Sequence, residues 1–259
     1  MNSTINATRH EADFLVIGSG IAGLTFALKS AVSGSVVIVT KKDLEASNTW
    51  YAQGGVASVI ENTDSFASHI EDTLSAGAGL CHHDVVETIV SEGPQQIEEL
   101  IRLGAHFSTI DSSQAVSMQN LSLGKEGGHS HRRIVYAADF TGEEIERTLV
   151  KAVKSNPNIE IYENFAAIEL ITQHHLSDSA NEPIQCFGAY ALDIANETIH
   201  TFCAKATLLA SGGAARVYEH TTNPSIATGD GIAMAYRAGA TIANMEFIQF
   251  HPTSLYFLE

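Results

Sequence analysis

DFLVIGSGIAGLTFALKSAVSGSVVIVT, residues 13–40, is the stretch whose reading decides the fold. The apolar run at 13–17 ends in Gly18-Ser19-Gly20, after which Ile21, Leu24, Leu28 and Ala31 recur at helical spacing and a second apolar run fills 36–40. Strand, glycine turn, helix and strand make a βαβ unit whose strands should be parallel and buried. Gly18, Ser19, Gly20, Ile21, Ala22 and Gly23 match GxGxxG where the pattern is informative, directly after a strand and opening a helix. The first glycine permits the tight turn, the second lets backbone approach a pyrophosphate, and the third lets helix and strand pack closely. The helix N-terminus then offers N–H groups and partial positive charge to phosphates. A dinucleotide cradle is the expectation.

An acidic residue for the adenosine ribose should follow roughly 20 residues on, at the end of the second strand. That place holds Thr40, Lys41 and Lys42. A ribose-binding acid of the NAD type is therefore missing, and Lys41 is the candidate to meet ribose or phosphate.

Outward from this unit, residues 64–103 read as two helices, the first capped by Asp64 or Ser65 and the second carrying Val85, Val86, Ile89 and Val90. Gly93-Pro94 should interrupt it and Gly104 should end the continuation. Thr141-x-x-Glu144 predicts a capping box for a helix that presents Ile145, Leu149 and Val153 on one face until Asn156-Pro157. A strand at 159–164 follows, then alternating short runs over 165–205 that predict an antiparallel meander inserted before ATLLASGG, 206–213. One more helix is read over 228–239. The expected fold is α/β: a Rossmann-like FAD-binding domain with a parallel sheet and an inserted β-meander over 13–240, preceded by a flexible tail at 1–12. The start of a capping domain follows at 241–259.

The 259 residues are enough to bury a sizeable core. A formal net charge of −16 repels nucleic acid and anionic membrane surfaces, which excludes them as expected partners. Residues 1–12 have no apolar signal segment and no apolar run reaches the ~18 residues that span a bilayer, so a cytoplasmic protein is expected. Cys81, Cys186 and Cys203 are too scattered for a disulfide framework or a metal site, and no metal is expected.

Two loops carry the candidate chemistry. In NTWYAQGGV, 48–56, Gly54-Gly55 after aromatic residues would let backbone N–H groups approach the edge of a flat ring. In LGKEGGHSHRR, 123–133, a single carboxylate, Glu126, is followed by His129, His131, Arg132 and Arg133. The arginines either bind carboxylates of a ligand or tie the loop to the acidic protein by ion pairs.

GSGIAGL, the AQGG loop, EGGHSHRR, ASGGAARVY, TTNPSIATGDGIAMA and EFIQFHPTSLY together resemble the succinate dehydrogenase/fumarate reductase flavoprotein family, and within it the aspartate-oxidising branch. The resemblance implies FAD held by Gly18, Ser19, Gly20, Ile21, Ala22, Gly23, Lys41, Asn48, Thr49, Trp50, Tyr51, Ala52, Gln53, Gly54, Gly55 and Asp230. The local alternative for Asp230 is a helix N-cap. In the respiratory members a histidine five residues before the AQGG glutamine joins the flavin covalently; Asn48 stands there, implying non-covalent FAD. Glu126 would meet the α-amino group of L-aspartate, and His251 a substrate carboxylate.

The implied reaction is hydride transfer from Cα to FAD, giving iminoaspartate, with oxygen or fumarate as acceptor. It would be the first step of NAD biosynthesis, its product passing to quinolinate synthase. Family members carry further catalytic arginines and histidines beyond the stretch matched here, so this chain is expected to be incomplete and inactive alone. A soluble fumarate reductase or succinate dehydrogenase subunit, or a dinucleotide-binding fragment without turnover, are the rival readings.

Overall fold

A computed structural model describes residues 8–175 and 184–251. Its chain divides into two compact units, one drawn from Met1–Asn48 and Val150–Glu259 and the other formed by Thr49–Leu149. The stretch read as one FAD-binding domain, 13–240, thus contains a self-contained central unit. Of the expected capping segment, residues 241–251 form neither helix nor strand, with one turn at 245–246, and 252–259 lie outside the described residues.

The first unit is built on one six-stranded sheet. Strands β1 (Thr8–Ile17), β2 (Val36–Thr40), β6 (Ile159–Glu163), β7 (Phe165–Thr172), β8 (Cys186–Asp193) and β9 (Thr198–Leu209) stand in the order β6-β2-β1-β9-β8-β7. The first four in that order pair in parallel, while β8 runs antiparallel to both its neighbours, β9 and β7. Helix α1 (Ile21–Ser30) joins β1 to β2, as the glycine motif predicts. All five residues of β2 are buried, the signature of a strand covered on both faces. The meander and the ATLLASGG strand are continuous: β9 pairs with β8 over 198–203 and with β1 over 200–209. Leu15, Ile17, Val37, Val39, Phe202 and Met234 meet in the core of this unit. Helix α5 (Asp230–Arg237) contributes Met234.

Residues 8–12, expected in a flexible tail, are the first half of β1; residues 1–7 lie outside the described part. The polar sequence TRHEA gives no strand signal by itself, but its backbone pairs with β9 from Thr8↔His200 to Ala12↔Ala204. His10 anchors it. Its Nε2 lies 2.9 Å from His200 Nδ1 and its Nδ1 2.8 Å from the Tyr162 hydroxyl, which donates to Glu160 at 2.7 Å. Burial and the neighbouring His200 hold His10 below the ordinary histidine range, against the opposing pull of Glu160. The unfolded chain therefore takes up a proton, near pH 6.5, that the folded chain resists. Stability is present above that pH and falls as pH drops below it. Melting temperatures between about pH 7 and 5 should decline less steeply in His10→Phe, which keeps the stacking on Phe202; an unchanged slope would contradict this.

The second unit pairs a three-stranded antiparallel sheet, β3 (Val56–Ala57), β5 (Ile134–Val135) and β4 (Leu123–Gly124) in the order β3-β5-β4, with α2 (Phe66–Ala76), α3 (His83–Leu103) and most of α4 (Thr141–Lys154). Ser65, not Asp64, caps α2 by accepting from Ser68 N at 3.1 Å. The break expected at Gly93-Pro94 does not occur: α3 runs through it and ends at Gly104 in the left-handed region. Burying Val86, Val90 and Ile97 on one face, worth about 1.5–3 kcal/mol each, outweighs the ~3 kcal/mol a proline costs inside a helix. The capping box of α4 is not made either. Thr141 Oγ1 accepts from Ala137 N, and Glu144 turns to His106 N and Arg147.

Candidate FAD and substrate site

The turn after β1 is closed by backbone. Gly18 N donates to Val39 O and Ala210 N to Ile17 O, which ties the motif between β2 and the segment after β9. Gly18 has φ +110°, and a Cβ there would lie 2.3 Å from Ala210 O; a Cβ on Gly23 would lie 2.1 Å from Gly18 O. Side chains are excluded at both positions. Ser19 is buried and shares a hydrogen bond of 3.1 Å with Thr40. Gly20 opens α1 in extended conformation with no side-chain cap, and Ile21 and Ala22 are exposed beside it.

Lys41 leaves the end of β2 and reaches the start of α5. Its ammonium pairs with Asp230 and donates to Thr228 Oγ1 at 2.7 Å, and Thr228 donates to Asp230 Oδ1 at 2.7 Å. Burial opposes ionisation of Asp230, but Lys41 and Thr228 outweigh it and hold the carboxyl below its usual range. The N-cap reading of Asp230 is not realised: Gly229, at φ +77°, occupies that place without a side-chain cap. Asn48, exposed, lies close to Gly212, where a Cβ would stand 3.8 Å from Asn48 Nδ2. This unit therefore gathers the motif at 18–23 with Lys41 and Asp230, and Asn48 with the ASGG turn; His251 belongs to it too, among residues lining a 490 Å³ cavity with Tyr218 and Phe250.

The rest of the expected flavin loop, Thr49, Trp50, Tyr51, Ala52, Gln53, Gly54 and Gly55, lies in the second unit. Gly142 N donates to Ala52 O at 2.9 Å, and a Cβ on Gly142 would lie 1.9 Å from Thr49 O, so only glycine lets α4 approach this bend. Ala52, Gln53 and Gly54 are exposed. Glu126 stands beside them: a Cβ on Gly54 would lie 3.5 Å from Glu126 Oε1 and meet nothing else within 4 Å.

Glu126 projects from the hairpin loop between β4 and β5, and its bases divide into two kinds. Arg133 is completely buried. Its Nε and Nη2 donate to Asp64 at 2.8 Å each and its Nη1 to Asp72 at 2.6 Å, so it ties the loop to α2. Arg132 is exposed, with Nη1 3.4 Å from Leu123 O. His131 Nδ1 lies 3.4 Å from Asp64, and His129 packs edge-on against buried His69 at 5.6 Å. Burial opposes ionisation of Asp64, but its Arg133 contacts prevail; Asp72 is held down to about 2, first by the Ser130 hydroxyl. The sequence reading missed these partners, although Asp64, Ser68 and Asp72 recur every four residues, the spacing of one helix face. Among the described residues no group of three or more His, Cys, Asp or Glu is placed to hold a metal.

The glycines test the fit to FAD. Backbone crowds out side chains at Gly18 and Gly23, leaving the first turn of α1 bare, while an added Cβ at Gly54 would meet only Glu126 Oε1, at 3.5 Å. A pyrophosphate and a flat ring are the groups such surfaces accept. A family model described as FAD binding domain matches residues 13–258.

The chain belongs to the FAD binding domain family. FAD is accordingly its cofactor, and the mixed α/β architecture is that of the family. Over 97% of its length it is 49% identical to L-aspartate oxidase 2-a, chloroplastic, of Nicotiana tabacum, of which it covers 38%, and 47% identical to L-aspartate oxidase of Yersinia pestis, of which it covers 46%. Among solved structures it matches E. coli quinol fumarate reductase with a TM-score of 0.85 and 31% identity, over 96% of this chain and 40% of that one. The resemblance read from the six motifs is thus borne out, and the chain spans less than half the length of these relatives. No helix among the described residues is long and apolar enough to cross a membrane. All three cysteines are free.

Proposed function

We propose that this FAD-binding chain serves the oxidation of L-aspartate to iminoaspartate, as part of a longer enzyme of the length its relatives have. FAD, when bound, would supply the two-electron acceptor for the Cα hydride, the nitrogen losing a proton, with oxygen or fumarate as the final electron acceptor. The protein's part is to bind, orient and desolvate. Ser19, Gly20, Ile21 and Ala22 would receive the pyrophosphate on the α1 N-terminus, and Lys41, with Asp230 behind it, would meet ribose or phosphate. Asn48 in place of the linking histidine supports non-covalent FAD. Residues 49–55 would line the ring.

One observation carries the substrate: the single carboxylate of Glu126 beside the Gly54 bend. An ammonium-bearing dicarboxylate needs an acid there, whereas succinate offers only a CH₂. His251 would bind a substrate carboxylate. Arg133, its donors taken by Asp64 and Asp72, is not a substrate ligand in this reading; Arg132 keeps an exposed guanidinium. The compartment proposed is the cytoplasm, and the product would pass to quinolinate synthase in NAD biosynthesis.

Glu126→Gln in the full-length, FAD-loaded enzyme should lower kcat/KM for L-aspartate by roughly 10- to 100-fold, the ~1.5–3 kcal/mol of a hydrogen bond to a charged group. Flavin reduction by succinate should change far less. Equal losses for both would remove Glu126 from the ammonium.

A further inference from the structure

The loop that carries Glu126 is fastened by groups that the proposed reaction does not use. Asp72 holds it at two points. Its Oδ1 accepts from the Ser130 hydroxyl at 2.5 Å, and its Oδ2 from the Ser130 amide at 2.8 Å and from Arg133 Nη1 at 2.6 Å. Asp64 reaches only the Arg133 end of the loop, with His131 beside it. Within the loop, Lys125 Nζ donates to Ser130 O at 2.9 Å, His129 N to Glu126 O at 3.3 Å and Arg133 N to Gly124 O at 3.1 Å. The contacts therefore run from Asp72 through Ser130 to Lys125, the neighbour of Glu126.

The loop needs such a fastening. It carries Gly127 and Gly128, the latter at φ +84°, and Lys125 through Gly128 are exposed. Ordering backbone costs about 1–2 kcal/mol per residue, so a carboxylate on a loop left free would spend much of its binding energy on ordering itself. A carboxylate already held against the Gly54 bend discriminates between ligands without that cost.

We propose that Asp72 is a positioning residue which, through Ser130 and Arg133, holds Glu126 at the AQGG bend and so sets the selectivity for a substrate bearing an ammonium. The proposal rests on the reading of Glu126 as the ammonium's partner. Asp72 touches neither substrate nor cofactor in this account; its effect passes through Glu126 alone.

A double-mutant cycle separates this role from general support of the fold. In the full-length, FAD-loaded enzyme, kcat/KM is measured for L-aspartate and for succinate in wild type, Asp72→Asn, Glu126→Gln and the pair. Asp72→Asn should lower kcat/KM for L-aspartate by about 10- to 100-fold, the range a displacement near 1 Å produces, mostly through KM. The succinate value should stay within about threefold. In the Glu126→Gln background, Asp72→Asn should add nothing further. Additive losses, or equal losses for both ligands in Asp72→Asn, overturn the positioning role while leaving Glu126 its own. Equal losses in Glu126→Gln alone overturn the ammonium reading and the proposal with it. Where Asp72→Asn yields no FAD-loaded protein, Ser130→Ala, which deletes only the hydroxyl on Asp72, carries the same test with a smaller loss selective for L-aspartate.

Discussion

Gly23→Ala should release FAD. The added carbon would stand 2.1 Å from Gly18 O and 3.2 Å from a Val16 methyl, and the first of these neighbours is backbone of the turn itself. Neither can move without displacing α1 from β1, and α1 is what aims the first-turn amides at the pyrophosphate. Overpacking of this kind costs about 1–3 kcal/mol, which is roughly 10- to 100-fold in affinity if it falls on the bound state. Flavin absorbance per mole of protein after desalting, followed by an FAD titration, reads the effect. Protein that keeps a full complement of FAD with unchanged affinity would mean that the glycine motif is only a turn.

Arg133→Met should be the most damaging change in the second unit. The guanidinium is completely buried, the Asp64 side chain is 1% exposed and that of Asp72 13%. Removing the cation leaves the buried Asp64 carboxylate without its guanidinium partner, and breaking a buried pair in this way costs about 3–5 kcal/mol. A fall of about 10 °C in melting temperature is expected for a protein of this size. Arg133→Lys should recover only part of it, since one ammonium cannot reproduce the fork that spans both acids. A melting temperature that does not change would show that the acids are solvated and that the loop is held by something else.

The two residues also mark what sequence alone reveals. Gly23 and its neighbours are legible because their constraint is local: a strand, a turn too tight for side chains and a helix follow one another within a few residues. Helical periodicity likewise places Ile145, Leu149 and Val153 on the buried face of α4. Arg133 is not legible in this way. A pair of arginines after a carboxylate fits a substrate clamp as well as a tether, and only the approach of Asp64 and Asp72, more than sixty residues earlier, decides for the tether.

The same distinction accounts for the other differences. Residues 8–12 look like a polar tail because the pairing that orders them lies with β9, nearly two hundred residues away. Pro94 looks like a helix break because its cost is local, whereas the burial that offsets it is tertiary. The separate unit at Thr49–Leu149 has no boundary in composition; it is defined by which contacts its residues make. At the candidate site, motif residues fall where the sequence reading puts them in the chain, but the Lys41–Asp230 pair and the nearness of Glu126 to Gly54 are products of folding.

The central claim is that FAD here accepts electrons from an amino dicarboxylate. Anaerobic mixing of the full-length, FAD-loaded enzyme that contains this chain with L-aspartate and, separately, with succinate tests it most directly, with bleaching of the oxidised flavin as the signal. The account predicts faster and fuller bleaching by L-aspartate. Faster bleaching by succinate, or a flavin that stays oxidised with both, would contradict it.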